Sequence, residues 1–246
     1  MIISVHIPKC GGISFQHVLR GIYGNRRVWL NYGIIFDQAD AQSRRHLVPA
    51  GARCLHGHFL SDAFDRTVPD GELVTWLRHP VDRVVSNYYH FLRHPDPQNP
   101  CCRELWARGL CLQKFCELPE MQNEMTRYLA GKPLHAFKFV GIMERFPESL
   151  RVFASHFGVS APFVPPRENV NPHRAGEHYE IPDWLHTHIE ALNQADLGVY
   201  DAAVAELDRA IVRTPRPWFA PAPLRRAGLA GAHASLAGSR ALSLSR

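Results

Sequence analysis

The sequence predicts an α/β fold in which a central, mostly parallel sheet is flanked by helices. Twice an apolar, strand-like run stops at a turn and passes at once into a helical pattern. The first is Met1-Ile2-Ile3-Ser4-Val5-His6-Ile7 into Pro8-Lys9-Cys10-Gly11-Gly12-Ile13-Ser14, and the second is Glu72-Leu73-Val74-Thr75-Trp76-Leu77 into Arg78-His79-Pro80. Strands that feed helices directly are the units of α/β sheets. With 246 residues, 46% of them hydrophobic, the chain can bury one full core of this kind.

The first turn has the residue types of an anion cradle. A strand ending in a Pro/Gly turn that opens a helix aims backbone N–H groups and the positive helix end at one spot. Lys9 adds a mobile cation, Gly11 and Gly12 allow close backbone approach, and Ser14 can cap the helix or donate a hydroxyl bond. A glycine pair alone is equally consistent with a plain tight turn. Nucleoside-triphosphatase loops place Lys after the last glycine, whereas Lys9 precedes the pair, and no apolar strand ends in a metal-holding Asp.

The second turn places Arg78 at the carboxyl end of a strand, where open α/β sheets bind ligands. Pro80 suits a first helical position, Asp82 suits a first turn, and Val81, Val84, Val85, Tyr88 and Tyr89 form an apolar helical stripe. Arg83 and Ser86 are three apart on one helix face, so Arg78 and Ser86 together can grip a second phosphate. The plainer reading is that Arg78 and Arg83 neutralise Asp82 or solvate a surface turn.

The remaining elements follow in order. A helix is expected over 14–23, a strand over 54–59 and a strand over 72–78, with His94 to Pro100 as a Pro-rich loop, a surface excursion or a substrate-facing lid. Residues 112–118 and 119–130 read as helices and Phe137 to Gly141 as a strand, followed by helices near 144–157, 183–193 and 196–212. No internal repeat is found. Beyond Pro215 the chain is rich in Pro, Ala, Arg and Ser, so residues 1–213 are expected to form the folded domain and 214–246 a disordered tail.

Several spaced segments resemble the sulfotransferases that use 3′-phosphoadenosine 5′-phosphosulfate, specifically the branch with the heparan and chondroitin 2-O-sulfotransferases and their bacterial relatives. His6 to Ser14 resembles the family's 5′-phosphosulfate loop, with Cys10 where Thr or Ser is usual, and Leu77 to Tyr89 resembles its 3′-phosphate motif. His56-Gly57-His58-Phe59 is similar to the segment carrying the catalytic histidine. Asn123 to Gly131, Val140 to Arg145 and Asn193 to Tyr200 also look like family segments, so the likeness spans roughly residues 1–212.

The resemblance implies the sulfotransferase version of the three-layer, P-loop-NTPase-like sandwich and a PAPS co-substrate used without a metal. It implies that Pro8, Lys9, Cys10, Gly11, Gly12, Ile13 and Ser14 hold the 5′-phosphosulfate, with Lys9 and the N–H groups of 10–14 neutralising charge on the bridging oxygen. Arg78 and Ser86 would hold the 3′-phosphate. In the segment that closes over the nucleotide, Arg167 or Arg174 would also reach that phosphate, unless the loop is merely solvated. The base is His58, with His56 as its partner or replacement: on a strand both face one side, and a near-neutral pKa suits acceptance of a hydroxyl proton. An isolated histidine is more often structural, and His-x-His also suits a metal, but no third ligand stands at a convincing spacing.

Composition narrows the partners. A net charge of +5 suits an anionic donor and an acidic glycan; its scattered arginines, without a dense basic tract or stacking aromatics, argue against nucleic acid. Cys10, Cys54, Cys101, Cys102, Cys111 and Cys116 lack C-x-x-C spacing and read as reduced thiols, with a zinc site or loop disulfide as the alternative. No leader precedes the first strand and no run of 18 apolar residues occurs, so a cytoplasmic bacterial enzyme without stable membrane insertion is expected. The expected activity is sulfuryl transfer to a hydroxyl of a carbohydrate or glycoconjugate. The alternatives are a nucleotide kinase or hydrolase, and a catalytically silent nucleotide- or glycan-binding relative.

Overall fold

The structure, a computed structural model, describes residues 1–32, 48–159 and 179–214. Its centre is a five-stranded sheet: β1 (Ile2–Val5), β2 (Val28–Tyr32), β3 (Cys54–His58), β4 (Glu72–Leu77) and β5 (Phe139–Ile142). The order is β2-β3-β1-β4-β5 and every pairing is parallel. β1 lies in the middle, and all four of its residues are buried, so it reads as the continuous apolar run that a strand covered on both faces requires. Val5 pairs with Gly57 on one side and Thr75 on the other. The carboxyl ends of β3, β1 and β4 therefore stand side by side.

Eight α-helices flank the sheet among the described residues: α1 (Gly12–Tyr23), α2 (Pro80–Arg93), α3 (Pro100–Arg108), α4 (Leu112–Cys116), α5 (Glu124–Tyr128), α6 (Phe146–Phe157), α7 (Asp183–Leu192) and α8 (Gln194–Arg213). Phe15 of α1 meets Trp76 of β4 at 5.3 Å and Phe153 of α6 at 5.2 Å between ring centroids, and Trp76 stacks on Phe146 at 4.3 Å. Phe15 and Phe153 are fully buried, each contributing about 1.5–3 kcal/mol of burial free energy. A second apolar cluster joins Val81, Val84 and Phe91 of α2 to Leu105 of α3, Phe115 of α4 and Ile189 of α7. The strand and helix of the second turn are thus fixed from two sides.

Several boundaries differ from expectation. α1 begins at Gly12, two residues early, with Gly11 as its N-cap in the left-handed region at φ 83° and no side-chain cap, so Ser14 does not cap it. β2 and α3 were not expected. β2 is a five-residue edge strand in which the apolar run is broken by Asn31, and α3 starts inside the Pro-rich stretch, where Asn99 accepts from the Cys102 N–H at 3.1 Å. The helix expected over 119–130 is broken: Asn123 adopts φ 48°, separating a 3₁₀ turn at Pro119–Met121 from α5.

That break is part of a joint. Asn123 Oδ1 accepts from the N–H groups of Ala195 and Asp196 at 3.0 and 3.2 Å, while Asn193 Oδ1 accepts from the Asn123 N–H at 2.9 Å. The buried Asp196 carboxylate accepts from the N–H groups of Met125 and Thr126 and from the Thr126 hydroxyl, at 2.7–3.1 Å. The N-termini of α5 and α8 are thereby satisfied reciprocally, as helix ends require.

No helix of the described residues is long and apolar enough to cross a membrane. Thr214 is the last residue described, so the tail expected over 214–246 falls almost wholly outside the described residues.

Candidate active site

The first turn is built by backbone conformation and by close packing. Lys9 adopts φ 66° and Gly11 φ 83°. A Cβ on Gly11 would come within 2.3 Å of Met143 Sδ, and one on Gly12 within 1.9 Å of the His6 ring. Both glycines are therefore demanded by left-handed backbone or by contact, and a plain tight turn would need neither contact. Gly12, Ile13 and Ser14 form the first turn of α1, whose N–H groups have no intrahelical acceptor and no side-chain cap. They face outward from the carboxyl end of β1 with the positive end of the dipole.

Cys10 departs from the expected donor set. Its thiol is buried, with burial pushing its pKa far up, and its N–H is donated to the Ile7 carbonyl at 3.2 Å. Neither group is offered to a ligand.

Lys9 and Arg78 meet across neighbouring strands. Arg78 Nη1 donates to the Lys9 carbonyl at 3.2 Å, while Arg78 Nη2 is buried without a hydrogen-bond partner among the described residues. The Arg78 guanidinium also lies over the Tyr179 ring, 5.8 Å from its centroid. Burial, with Arg78 and Arg93 beside it, lowers the Lys9 pKa to about 8. His90 on α2 is pushed down to about 4 by burial and then by Lys9, His94 and Arg93. Among the described residues no carboxylate pairs with Lys9, Arg78 or Arg93 within 4 Å. Cations gathered in this way, with an orphaned buried N–H, form a site that an anion completes.

Ser86 is buried in the second turn of α2. Arg83, three residues before it, turns away from the site. It is fully buried, pairs with Glu124, donates to the Met121 carbonyl at 2.5 Å, and lies 4.0 Å from Asp196. It neither neutralises Asp82 nor solvates a surface turn; it ties α2 to the α5–α8 joint. Asp82 instead accepts from the Tyr179 N–H at 3.1 Å. Glu144 accepts from the His79 N–H at 2.9 Å and from the Tyr200 hydroxyl at 3.3 Å, which secures the start of α2. The later family-like segments therefore hold the second turn in place.

The histidines sit at the ends of β1 and β3. His58 Nδ1 is 2.6 Å from the His6 carbonyl. A carbonyl only accepts, so Nδ1 carries the proton and Nε2 presents its lone pair. Burial lowers the His58 pKa below the usual value, Lys9 adding to this and the His6 carbonyl opposing it, so the ring is neutral near pH 7. His58 is half-buried. His56 faces the same side, as alternation on a strand requires, but lies fully inside: its Nδ1 is 2.8 Å from Ser4 Oγ, and burial, then His58, brings its pKa down to about 3. Gly57 separates them because a Cβ there would lie 1.6 Å from the Asn31 carbonyl oxygen on β2.

Sequence reasoning did not single out the His6 ring, Tyr32 or Tyr179. His6 stacks on His58 at 4.4 Å and on His56 at 5.2 Å, and Tyr32 meets His58 edge-on at 5.0 Å. His6 belongs to the first motif by position, but Tyr32 lies on a short edge strand with no periodic pattern. Arg167 and Arg174 lie outside the described residues. Among those described, no group of three or more His, Cys, Asp or Glu is arranged to hold a metal.

No protein-family model matches the sequence, and no curated protein matches it. Among solved structures, a sulfotransferase from Alicyclobacillus acidocaldarius is 19% identical, with 83% of this chain covering 95% of that one at a TM-score of 0.46. Mouse sulfotransferase SULT7A1, complexed with PAP, is 14% identical, with 81% covering 88% at a TM-score of 0.43. At these values neither structure identifies the activity of this chain.

Proposed function

We propose that this chain is a sulfotransferase that moves a sulfuryl group from 3′-phosphoadenosine 5′-phosphosulfate to a hydroxyl of a carbohydrate or glycoconjugate. One observation carries the reading. At the carboxyl ends of three adjacent parallel strands lie a neutral histidine with an unprotonated Nε2, a helix N-terminus without a side-chain cap and, among the described residues, a lysine without a carboxylate partner and an arginine with an orphaned N–H.

The donor, when bound, supplies an activated sulfuryl group and leaves as a phosphate anion. Lys9 and the N–H groups of Gly12, Ile13 and Ser14 would hold its 5′ end and meet the charge that grows on the leaving oxygen. A second anionic group would pair with Arg78, whose buried Nη2 lacks a partner, and with Ser86. Its charge would also offset the burial and the neighbouring Arg78 and Arg93 that together depress Lys9. His58 Nε2 would take the acceptor's proton, as the imidazole lone pair allows. We assign this role to His58 rather than His56, which is 1% exposed and already bonded to Ser4.

The reading is tested by calorimetric titration with adenosine 3′,5′-bisphosphate, beside ATP with Mg²⁺, followed by transfer of labelled sulfate to a panel of glycans. Tight bisphosphate binding with label in a glycan supports it. Preference for ATP with Mg²⁺ points to the kinase or hydrolase alternative and overturns it. Bisphosphate binding without transfer to any acceptor indicates a silent relative.

A further inference from the structure

The His6 ring has no role in the chemistry above, yet it is 7% exposed, 4.4 Å from the His58 ring at an interplanar angle of 28°, and pressed against Gly12 of the anion loop. Its position is fixed from outside. The Tyr32 hydroxyl donates to Gln16 Oε1 at 2.9 Å, so toward His6 Nδ1, 3.2 Å away, that oxygen accepts. His6 therefore carries its proton on Nδ1 and remains neutral, a flat plate with one face against His58. The chain Gln16–Tyr32–His6–His58 runs from α1 through β2 and β1 to β3.

Resting on the function proposed above, we propose that His6 is a positioning residue. Its ring, anchored through Tyr32 to Gln16, sets the His58 base in register with the anion loop at Gly12. Two features make one residue suited to this. Its backbone carbonyl fixes the His58 tautomer, and its side chain fixes the ring plane and keeps water from that face. The same side chain abuts the backbone of Gly12, so displacement of the loop and of the base is shared. A proton acceptor misplaced by about 1 Å loses on the order of 10²-fold in rate, so such a plate acts on turnover and not on donor binding.

Among the described residues, the groups that face the stack are His56 and His58 on β3, Tyr32 on β2, Gln16 and Arg20 on α1, Lys9 in the loop, and Tyr128 on α5 with its ring 6.4 Å from His58. Among these, Lys9 and Arg20 carry the charge. Removal of the His6 ring admits water to the face of His58 and relieves the burial that holds its pKa down, so that pKa rises.

The test uses the full chain with His6→Ala, His6→Phe, Tyr32→Phe and the Tyr32→Phe/His6→Ala double variant. It reads imidazole ¹⁵N shifts of His58 against pH, bisphosphate affinity by calorimetry, and kcat and KM for sulfate transfer. His6→Ala is expected to raise the His58 pKa and lower kcat by about 10- to 100-fold, with bisphosphate affinity within about twofold of wild type. His6→Phe, which keeps a ring over His58, should retain the low pKa and most of kcat. Tyr32→Phe should show a smaller loss that does not add to that of His6→Ala, since both break one chain. An unchanged His58 titration in His6→Ala overturns the proposal, as does equal loss in the Phe and Ala variants, or a loss confined to bisphosphate affinity. The titration arm is independent of the reaction: altered His58 shifts in a protein whose wild type transfers no sulfate would support the positioning role and refute the sulfotransferase reading.

Discussion

Arg78 donates to the backbone carbonyl of Lys9 at 3.2 Å, so the cation at the end of β4 braces the loop at the end of β1. The brace supports a residue held at φ 66°, a region that non-glycine residues enter only at a cost. In the proposed function one side chain thus serves both the second anion site and the shape of the first. Arg78→Ala is expected to weaken adenosine 3′,5′-bisphosphate binding by about 10- to 100-fold, the loss of one or two charge-assisted hydrogen bonds. Arg78→Lys should not restore it, because a point charge cannot hold carbonyl and anion together in the fork geometry. Calorimetry on the three proteins checks this, and full affinity in Arg78→Lys would count against it.

Lys9→Ala should act chiefly on turnover. A preorganised cation on a leaving oxygen is worth about 10²–10³ in rate, and the first turn of α1 would still supply N–H groups for binding. Single-turnover rates with labelled donor, measured beside bisphosphate affinity, separate the two effects.

The pH dependence follows from the directions of two shifts. His58 is held below its usual value by burial and must be neutral to accept a proton, so kcat/KM rises through an acid limb centred below 6.5 and is full above it. Lys9, lowered to about 8, must be charged, so kcat/KM falls again as pH passes about 8. A bound anion favours the charged lysine, so the alkaline limb of kcat should lie higher than that of kcat/KM. A pH–rate profile in Lys9→Arg, which stays charged throughout the range, should lose the alkaline limb.

Gly11→Ala meets two obstacles, the Met143 sulfur 2.3 Å from its Cβ and a backbone at φ 83°. Met143→Ala removes the first and not the second. The double variant should therefore remain destabilised by about 1–2 kcal/mol, the cost of left-handed backbone for a residue with a Cβ. Full recovery of stability in thermal melts of the double variant would show that contact alone had mattered.

Arg83→Ala leaves Glu124 buried without its partner and removes a donor from the Met121 carbonyl. Breaking a buried pair in this way costs about 3–5 kcal/mol. Urea denaturation should show this loss, whereas the same substitution at Arg108, whose pair with Glu104 is exposed, should cost less than about 0.5 kcal/mol.

The two strand-to-helix turns were legible because their signals are local. Apolar runs that stop at Pro8-Lys9 and at Arg78-His79-Pro80 mark the ends of β1 and β4, and the carboxyl end of a strand is a ligand position whatever surrounds it. His-Gly-His placed two imidazoles on one face for the same reason, the period of two along a strand. β2 and α3 were missed because a five-residue run interrupted by Asn31 is too short to show a period, and a helix opening in a proline cluster reads as loop.

From the sequence alone came the α/β class, the paired cradle residues Lys9 and Arg78, and a histidine at a strand end. Order in the sheet decided the rest. β1 lies between β3 and β4, which brings positions 9, 58 and 78 to one edge although the chain separates them by up to 69 residues. Burial then divided residues of one type into different roles: Arg83 entered the core against Glu124 and the Met121 carbonyl while Arg78 stayed at the strand end on the Lys9 carbonyl, and His56 sank onto Ser4 while His58 stayed at the rim with its Nε2 free of the proton. Residue identity states what a side chain can donate or accept. Which groups are left without partners depends on what packs against them, and that is a property of contacts between residues distant in the chain.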